Sequence, residues 1–141
     1  MCLECDAGWT YATHTRKCYR SSETRVKRSD AVTACKAWKS DADLAKIPDK
    51  KTNDFVLGFV NLCSWISLEK KGNNWYWADE TVATFLYWGG GGPSGDGSSV
   101  ELCRVTDHTP GMWNDLSGGH QRGFVCEYTP SDPDTDGKLV Y

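Results

Sequence analysis

The sequence predicts an α+β fold in which two helices pack on short, mostly antiparallel strands and disulfides staple the chain. Three observations favour this class. Two segments in the first half carry apolar residues at helical spacing, whereas the second half carries short strand-like segments between glycine-rich turns. Seven cysteines are spread along the 141 residues. Helices that are followed by strands, rather than alternating with them, are typical of an α+β domain.

Two helices are expected before residue 61. Residues 29–39 and 49–60 each carry apolar side chains at three- and four-residue spacing, which places them on one helical face. Polar residues with a short side-chain oxygen stand at the start of both segments, where such oxygens accept hydrogen bonds from free backbone N–H groups. The expected N-caps are Ser29 or Asp30 for the first helix and Asp49 or Thr52 for the second.

Short strands are expected on both sides of these helices. Isolated aromatic residues in the first 28 positions indicate strands near the amino terminus. After residue 61 the helical period is lost, and the apolar segments become short and bounded by turns. The other segments expected as strands are residues 44–47, 65–68, 75–77, 100–105, 112–113 and 123–128.

A long loop is expected after Trp88, because residues 89–97 are mostly glycine, with proline and serine. Long loops inside compact domains are usually functional or disordered. The glycines either give a mobile loop that orders on binding, at a cost in conformational entropy, or have no selected role in a domain that has lost its sugar site.

The end of the chain is expected to be a tail. Residues 129–141 are polar and acidic with two prolines, so we expect one domain over residues 1–128 and a flexible tail after it. Asp132, Asp134 and Asp136 match the first half of an EF-hand calcium loop, although a solvated acidic tail is the simpler interpretation.

Charge and hydropathy exclude two classes of function. The net charge is -3 and the pI is about 5.5, so no overall basic field attracts nucleic acid. The lysines and arginines that gather over residues 16–28 are interpreted as a solvated face. No apolar run approaches the roughly 18 residues of a membrane helix, and no membrane span is expected.

No enzymatic activity is expected. His14, His108 and His120 are scattered in polar segments, and none stands at metal-ligand spacing from another. Residues 92–96 do not match the nucleophile motif G-x-S-x-G, because the last position is Asp96.

The cysteines indicate an extracellular domain. Cys2 and Cys5 form one CxxC, but it has neither a second CxxC at zinc-binding spacing nor the βαβ pattern of thioredoxins around it. Cysteines spread through a domain of this size persist as disulfides in oxidising compartments, so a secreted or extracellular location is expected. The odd count leaves one thiol over.

A series of short motifs runs through the chain in a fixed order. They are Cys5, Gly8-Trp9 and Cys18-Tyr19; Asp30-Ala31 with Cys35; Leu44-Ala45; Trp65-Ile66-Ser67-Leu68; Trp77-Ala78-Asp79-Glu80; Trp88 before Pro93; Glu101-Leu102-Cys103; Trp113-Asn114-Asp115; and Phe124-Val125-Cys126-Glu127. Together they resemble the C-type lectin-like domain family, with its W-I-G-L, W-x-D-G, E-P-N, E-D-C, W-N-D and F-I-C-E segments. The resemblance covers residues 5–128 and implies the long form of that fold and a ligand-binding domain.

The resemblance implies two disulfides, Cys5–Cys18 and Cys35–Cys126. The first belongs to the amino-terminal hairpin of the long form. The second would tie the first helix to the last strand, and closing so long a loop would stabilise the fold by about 4–5 kcal/mol in the chain-entropy description.

Cys103 departs from the family pattern. Its usual partner lies three residues after the W-N-D aspartate, and that position holds Gly118 here. Cys63 has no counterpart in the pattern, so a Cys63–Cys103 bond is our replacement hypothesis, and it needs Cα atoms within about 7 Å. Cys2 is then left over, either free or joined to a second chain in a disulfide-linked dimer.

The resemblance also implies a calcium and sugar site. In sugar-binding members, one calcium ion is held by the E-P-N or Q-P-D tripeptide, the glutamate of E-D-C, and the asparagine and aspartate of W-N-D. The same side chains hydrogen-bond two neighbouring sugar hydroxyls. Glu101, Asn114 and Asp115 match three of these ligands.

Two of the family's ligand positions are lost. Gly92 supplies no side-chain oxygen and Ser94 only a hydroxyl, so calcium binding is expected at best near 10⁻⁴ to 10⁻³ M, an order-of-magnitude range. Asp96 is a candidate compensating ligand on the same loop, and Trp88 is a candidate surface for stacking on a sugar. The alternative is that the W-N-D segment simply holds the loop region together.

Two functions follow as hypotheses. The first is a carbohydrate-binding module, weakly assisted by calcium, whose partner is a glycan or glycoprotein. The second is a calcium-independent domain that binds a protein through the glycine-rich loop and its tryptophans. The intact W-N-D motif favours the first, and the lost ligands at Gly92 and Ser94 favour the second.

Overall fold

The computed structural model describes residues 4–104 and 111–131 of the chain. Its two helices are separated by one short strand, and five strands follow the second helix, as the sequence predicts. In chain order they are β1 (Thr10–Ala12), β2 (Lys17–Val26), α1 (Arg28–Trp38), β3 (Asp43–Leu44), α2 (Lys50–Leu57), β4 (Cys63–Lys71), β5 (Asn74–Tyr76), β6 (Ser99–Cys103), β7 (Trp113–Leu116) and β8 (Arg122–Tyr128).

One sheet joins the strands in the order β1-β2-β8-β4-β6-β7, with β3 also paired to β8 and β5 to β4. The pairings are antiparallel except that of β4 with β8, which is parallel. The predicted α+β fold with mostly antiparallel strands is therefore confirmed. The order places β6 and β7, which carry the predicted ligands, at one end of the sheet.

Helix α1 begins at Arg28, one residue before the first predicted cap, Ser29. Its N-cap is Lys27, whose side chain makes no capping hydrogen bond, so both predicted caps are wrong. Contacts with distant residues set this start. The Arg28 backbone N–H donates to the Gly118 carbonyl at 3.0 Å, and its guanidinium donates to the Ser67 carbonyl at 3.0 Å.

Helix α2 begins as predicted and ends early. The Asp49 carboxylate accepts from the backbone N–H of Thr52 at 2.8 Å, which confirms Asp49 as the cap. The helix ends at Leu57 instead of residue 60. Arg104 donates to the carbonyls of Leu57 and Val60 at 2.6 Å each, and a cation there suits the negative end of the helix dipole.

Strand β2 is longer than the sequence predicts. It runs for ten residues and pairs with both β1 and β8. Its second half, Glu23–Arg25, is exposed and polar, so no apolar alternation announces it. Strand β3 is shorter than the predicted 44–47, although the backbone of Ala45 still hydrogen-bonds Val125 and Ser67.

Two buried clusters form the core, one including Val56 of α2 and the other Ala31 and Cys35 of α1. Aromatic side chains fill much of this volume, as expected. The tryptophans of the W-I-G-L, W-x-D-G and W-N-D segments are all buried; they are Trp65, Trp77 and Trp113.

Three disulfides staple the described residues. They pair Cys5 with Cys18, Cys35 with Cys126 and Cys63 with Cys103, which are the expected pairs. Cys63 and Cys103 face one another in the register of β4 and β6, and their Cα atoms are 4.1 Å apart. Cys2, the candidate for a disulfide-linked dimer, lies outside the described residues.

The predicted boundary at residue 128 coincides with the end of β8, but the division into domain and tail stays a prediction. Most of the tail, including its three aspartates, lies outside the described residues. Neither described helix is long and apolar enough to cross a membrane.

Candidate functional site

The candidate site is a cleft between the long loop and strands β6 and β7. Its volume is about 430 Å³. The residues that line it are Gly89, Gly90, Gly91, Gly92, Ser94, Glu101, Cys103, Met112, Trp113 and Asn114. Three of the five predicted metal ligands are therefore in its wall, and Asp115 and Asp96 are not.

The register of β6 and β7 explains this division. Glu101 faces Asn114 across the two strands, so both side chains lie on the same face of the sheet. Asp115 follows Asn114 directly, and successive side chains in a strand point to opposite faces. The Asp115 carboxylate is turned to the loop and not to the cleft.

Asp115 anchors the far end of the loop. Its Oδ1 accepts from the Ser94 backbone N–H at 2.6 Å and from the Ser94 hydroxyl at 2.8 Å, and its Oδ2 accepts from the Gly95 N–H at 2.8 Å. Burial alone would raise the pKa of Asp115, but these hydrogen bonds outweigh it and the pKa is lowered. The carboxylate is thus held charged and pointing into the loop.

The near end of the loop is anchored by β7 as well. The Gly89 N–H donates to the Trp113 carbonyl at 3.0 Å, and the Gly92 N–H donates to the Gly89 carbonyl at 3.0 Å. Between the anchors, Gly90 and Gly91 take positive φ angles of 58° and 81°, a conformation that favours glycine. Nothing lies within 4 Å of the position that a Gly91 Cβ would take, so its backbone is open to a ligand.

Glu101 is bound by two partners from different strands. Its Oε1 accepts from Arg122 Nε at 2.6 Å, and its Oε2 accepts from Asn114 Nδ2 at 2.9 Å. Arg122 begins β8, and β4 lies between β8 and β6, so the guanidinium reaches across a strand. The Arg122 Nη1 also donates to the Gln121 carbonyl at 2.8 Å, which fixes its orientation.

A disulfide lies directly beside Glu101. The sulfurs of Cys63 and Cys103 and a carboxylate oxygen of Glu101 all lie within 4.8 Å of one another. Both sulfurs are bonded to each other, so neither is a thiolate that could bind a metal. The disulfide instead gives the carboxylate a weakly polar neighbour.

The donor set does not fit a calcium ion. Calcium needs six to eight oxygens, but both oxygens of Glu101 and both oxygens of Asp115 are already acceptors of protein hydrogen bonds. An ion at Glu101 would have to displace the Arg122 guanidinium and would lie beside its charge. The calcium assistance expected from the sequence stays a prediction that this geometry disfavours.

Two other sequence-predicted residues lie apart from the cleft wall. Trp88 is half-buried, with its ring 4.8 Å from that of Trp75 and 6.1 Å from that of Trp113. It packs in an aromatic cluster, which competes with the predicted stacking on a sugar. Asp96 is exposed and does not line the cleft, and its backbone N–H donates to the Ser94 hydroxyl at 3.4 Å. Its role as a compensating ligand stays a prediction.

Sequence reasoning missed three residues of the site. Arg122 is one polar residue among several before the last strand, and no local pattern links it to Glu101. Met112 supplies an apolar side chain beside Gly89, with its Cβ 3.1 Å from the position of a Gly89 Cβ. Asn53 is fully buried, and its place three residues before Val56, on the buried face of α2, was the available signal for it.

Comparison with known proteins agrees with the motifs. A family model described as Lectin C-type domain matches residues 24–128. The chain is 28% identical over 132 residues to C-type lectin lectoxin-Lio3 of Erythrolamprus poecilogyrus, covering 87% of this chain and 80% of that protein.

Two solved structures are also similar. The carbohydrate-recognition domain of cow CD23, crystallised with a GlcNAc2Man3 oligosaccharide, is 26% identical with a TM-score of 0.80, covering 93% of this chain and 100% of that chain. The Ca2+-independent C-type lectin SPL-2 of Saxidomus purpuratus is 23% identical with a TM-score of 0.78, covering 91% and 96%, and this likeness shows the fold alone. With the family match over most of its length, the chain belongs to the C-type lectin domain family.

Proposed function

We propose that the cleft between the long loop and strands β6 and β7 binds a carbohydrate, and that it does so without requiring calcium. The observation that carries the proposal is the hydrogen-bonded pair of Glu101 and Asn114 on the cleft wall. A carboxylate has about four acceptor positions and an amide has one acceptor oxygen and two N–H donors, so the bonded pair can still accept from and donate to hydroxyl groups. Sugars present such hydroxyl pairs on every ring.

The rest of the cleft suits a small polar ligand with an apolar face. Met112 supplies apolar surface, and the Gly91 backbone is open to a ligand because nothing lies within 4 Å of the position of a Gly91 Cβ. A single hexose has about 12 non-hydrogen atoms, and at about 0.3 kcal/mol per atom its dissociation constant would be of millimolar order. Useful affinity then requires several sugar units or several copies of the domain.

The relatives support a sugar ligand and a calcium-free mode. Lectoxin-Lio3 is named a C-type lectin, and the cow CD23 domain was crystallised in the presence of an oligosaccharide. SPL-2 is described as a Ca2+-independent C-type lectin. Each description is of that protein, and its extension to this chain belongs to the proposal.

A glycan array run in parallel with a chelator and with calcium tests the proposal. We expect binding to a restricted set of glycans in both buffers, and about tenfold or greater loss with Asn114→Ala, which removes one hydrogen-bonding partner on the cleft wall. Asn74→Ala is the matched control, because Asn74 is exposed in β5 and does not line the cleft. Blank arrays in both buffers would reject the proposal.

A protein ligand is the second candidate. Gly90, Gly91 and Pro93 are exposed between the two loop anchors, and residues 94–96 are exposed at and just after the far anchor. This leaves a short segment for a protein to contact. If arrays are blank, and a protein ligand is captured by the wild type but not by a variant with residues 90–92 replaced by alanine, this second function is the correct one.

We also propose that the domain works outside the cytosol, since disulfides persist in oxidising compartments. Alkylation followed by intact-mass measurement should find six cysteines blocked in bonds and only Cys2 available, or none if Cys2 joins two chains. Free thiols at the six paired positions of the secreted protein would contradict this.

A further inference from the structure

We propose that the junction between β2 and α1 is a processing site, where an endoprotease specific for paired basic residues hydrolyses the peptide bond between Arg28 and Ser29. The sequence Arg25-Val26-Lys27-Arg28 places a cation at the first, second and fourth positions before that bond. It is the single match to Arg-x-Lys-Arg in the chain, and proteases with acidic substrate pockets select such cations. Water is the second reactant, and the products are a carboxylate on Arg28 and an amine on Ser29.

Most of this segment is accessible in the fold. Arg25, Lys27 and Ser29 are exposed. The register of β2 with β8 shifts between Ser22 and Val26, so the residues between them do not pair regularly with β8. An irregular strand end beside a helix start gives a protease the exposed backbone that limited proteolysis requires.

Arg28 is the one of the three cations that is anchored, and its anchor is incomplete. Its side chain is 15% exposed; Nη1 lies 3.6 Å from a Glu69 oxygen, and Nη2 donates to the Ser67 carbonyl at 3.0 Å. Its Nε is buried and has no hydrogen-bond partner among the described residues. Burial lowers the pKa of Arg28, because the charged group loses water there, and Glu69 only partly offsets this. An opening that releases Arg28 returns Nε to water, which offsets part of the lost contacts.

A local opening is enough to free the segment. Besides the anchor, the Trp65 indole donates to the Val26 carbonyl at 2.9 Å, and the Arg28 N–H donates to the Gly118 carbonyl at 3.0 Å. Val26 is also paired with Arg122 of β8. Breaking these contacts opens the end of β2 and the first turn of α1 while the rest of the sheet stays paired. Such local openings need less free energy than global unfolding.

No disulfide among the described residues crosses the proposed cut. Cys5–Cys18 lies wholly before it, and Cys35–Cys126 and Cys63–Cys103 lie wholly after it. Within this part of the chain, hydrolysis would leave the hairpin of β1 and β2 held to the rest only by noncovalent contacts such as the pairing with β8. It would also put the charged amine of Ser29 at the positive end of α1, which destabilises the helix start. Processing thus loosens or releases the amino-terminal hairpin.

The experiment incubates the folded, oxidised full chain with a subtilisin-like endoprotease that cleaves after Arg-x-Lys-Arg. Urea is varied from zero to just below the unfolding midpoint, and intact mass is measured without reduction. We expect cleavage after Arg28 into residues 1–28 and 29–141. The logarithm of the cleavage rate should rise with urea less than about half as steeply as global unfolding requires, because a local opening exposes less surface.

Three variants test the role of the anchor and of the motif. Glu69→Gln should speed cleavage about two- to fivefold, because it removes the charge partner of Arg28. Glu4→Gln is the matched control, since it makes the same charge change at an exposed residue before β1 and should cleave at the wild-type rate. Lys27→Ala removes an exposed cation of the motif and should slow cleavage at least about tenfold.

A folded chain that stays intact while the reduced, unfolded chain is cut after Arg28 would overturn the proposal. So would a cleavage rate whose urea dependence equals that of global unfolding, or an unfolded chain that the protease leaves whole. Equal rates for Glu69→Gln and Glu4→Gln would also overturn it, because release of Arg28 would then not control access to the bond.

Discussion

The indole Nε1 of Trp113 donates to the side-chain oxygen of Asn53 at 2.7 Å, so a buried amide on α2 holds the first residue of β7. The same amide donates from Nδ2 to the Gly111 carbonyl at 2.8 Å. One side chain therefore satisfies two buried polar groups that flank the cleft. Loss of the Asn53 side chain should therefore disturb the cleft, because it frees the first residue of β7.

Asn53→Ala should lower the free energy of unfolding by about 2–4 kcal/mol, because it leaves the Trp113 N–H and the Gly111 carbonyl without partners and opens a small cavity. Urea denaturation followed by tryptophan fluorescence measures the change. Asn74→Ala, at an exposed position, should change it by less than about 0.5 kcal/mol. Equal effects of the two substitutions would mean that the Asn53 contacts contribute nothing.

The stability contributed by Asp115 should depend on pH. Its pKa is lowered in the folded chain by the hydrogen bonds from Ser94 and Gly95, which outweigh burial. A lowered pKa gives stability that is complete above the unfolded value, about 3.9, and that is lost as pH falls through the folded value. The stability difference between the wild type and Asp115→Asn should therefore be largest near pH 6 and should shrink below pH 4.

Urea midpoints of both proteins across that pH range provide the measurement. Asp96→Asn is the control, because Asp96 lies on the same loop but is exposed. A wild-type advantage over Asp115→Asn that stays constant down to pH 2.5 would contradict the assignment of Asp115 as a charged anchor.

Glu80→Gly should stabilise the protein. Glu80 is exposed and has a φ of 69°, at the position where the family's W-x-D-G segment has glycine. A side chain costs about 1–2 kcal/mol in this conformation, and the extra freedom of glycine in the unfolded chain offsets part of the gain, so we expect a net increase of about 0.5–1 kcal/mol. Glu80→Ala, which keeps the strain, should not raise the free energy of unfolding, and a rise as large as that of glycine would reject the explanation.

Replacing Cys63 and Cys103 together by alanine should lower the free energy of unfolding by about 4 kcal/mol, from the 40-residue separation that the bond closes. The bond is also next to Glu101, so the double variant should lose ligand binding under conditions where it remains folded. Removal of Cys35–Cys126, which closes a loop with a sequence separation of 91, should lower the free energy of unfolding slightly more. It should leave ligand binding in the cleft unchanged. Equal binding by both folded variants would argue against the link between the disulfide and Glu101.

The sequence predicts the fold well because its motifs are core residues and cysteines whose order along the chain reflects their positions in the fold. Trp65, Trp113 and the disulfides Cys5–Cys18 and Cys35–Cys126 all lie where the motifs imply. The third disulfide, Cys63–Cys103, confirms the replacement hypothesis that was made because the motif partner of Cys103 is missing. Helix starts are less predictable: the carbonyls that hold Arg28 belong to Ser67 and Gly118, which are far away in sequence.

The sequence predicted which residues lie at the site, but it did not predict which charged groups pair there. The motifs place Glu101, Asn114 and Ser94 together, but they do not reveal that Arg122 reaches across β4 to bind Glu101. That contact depends on the parallel pairing of β4 and β8, a long-range feature that no local pattern encodes. The ion pair of Arg122 and Glu101 at the cleft follows from this one contact.

Because Asp115 holds the loop mainly through backbone N–H groups, the loop sequence can change in evolution or by engineering while the loop ends stay in place. Two of its three hydrogen bonds come from backbone N–H groups, at Ser94 and Gly95, and the other end of the loop is held by the backbone of Gly89. Backbone donors are supplied by every residue except proline. Residues 90–93 can therefore be lengthened, or replaced as a whole by a segment with its own turn, while both ends stay fixed, which makes this segment an insertion point for new recognition sequences on an unchanged scaffold.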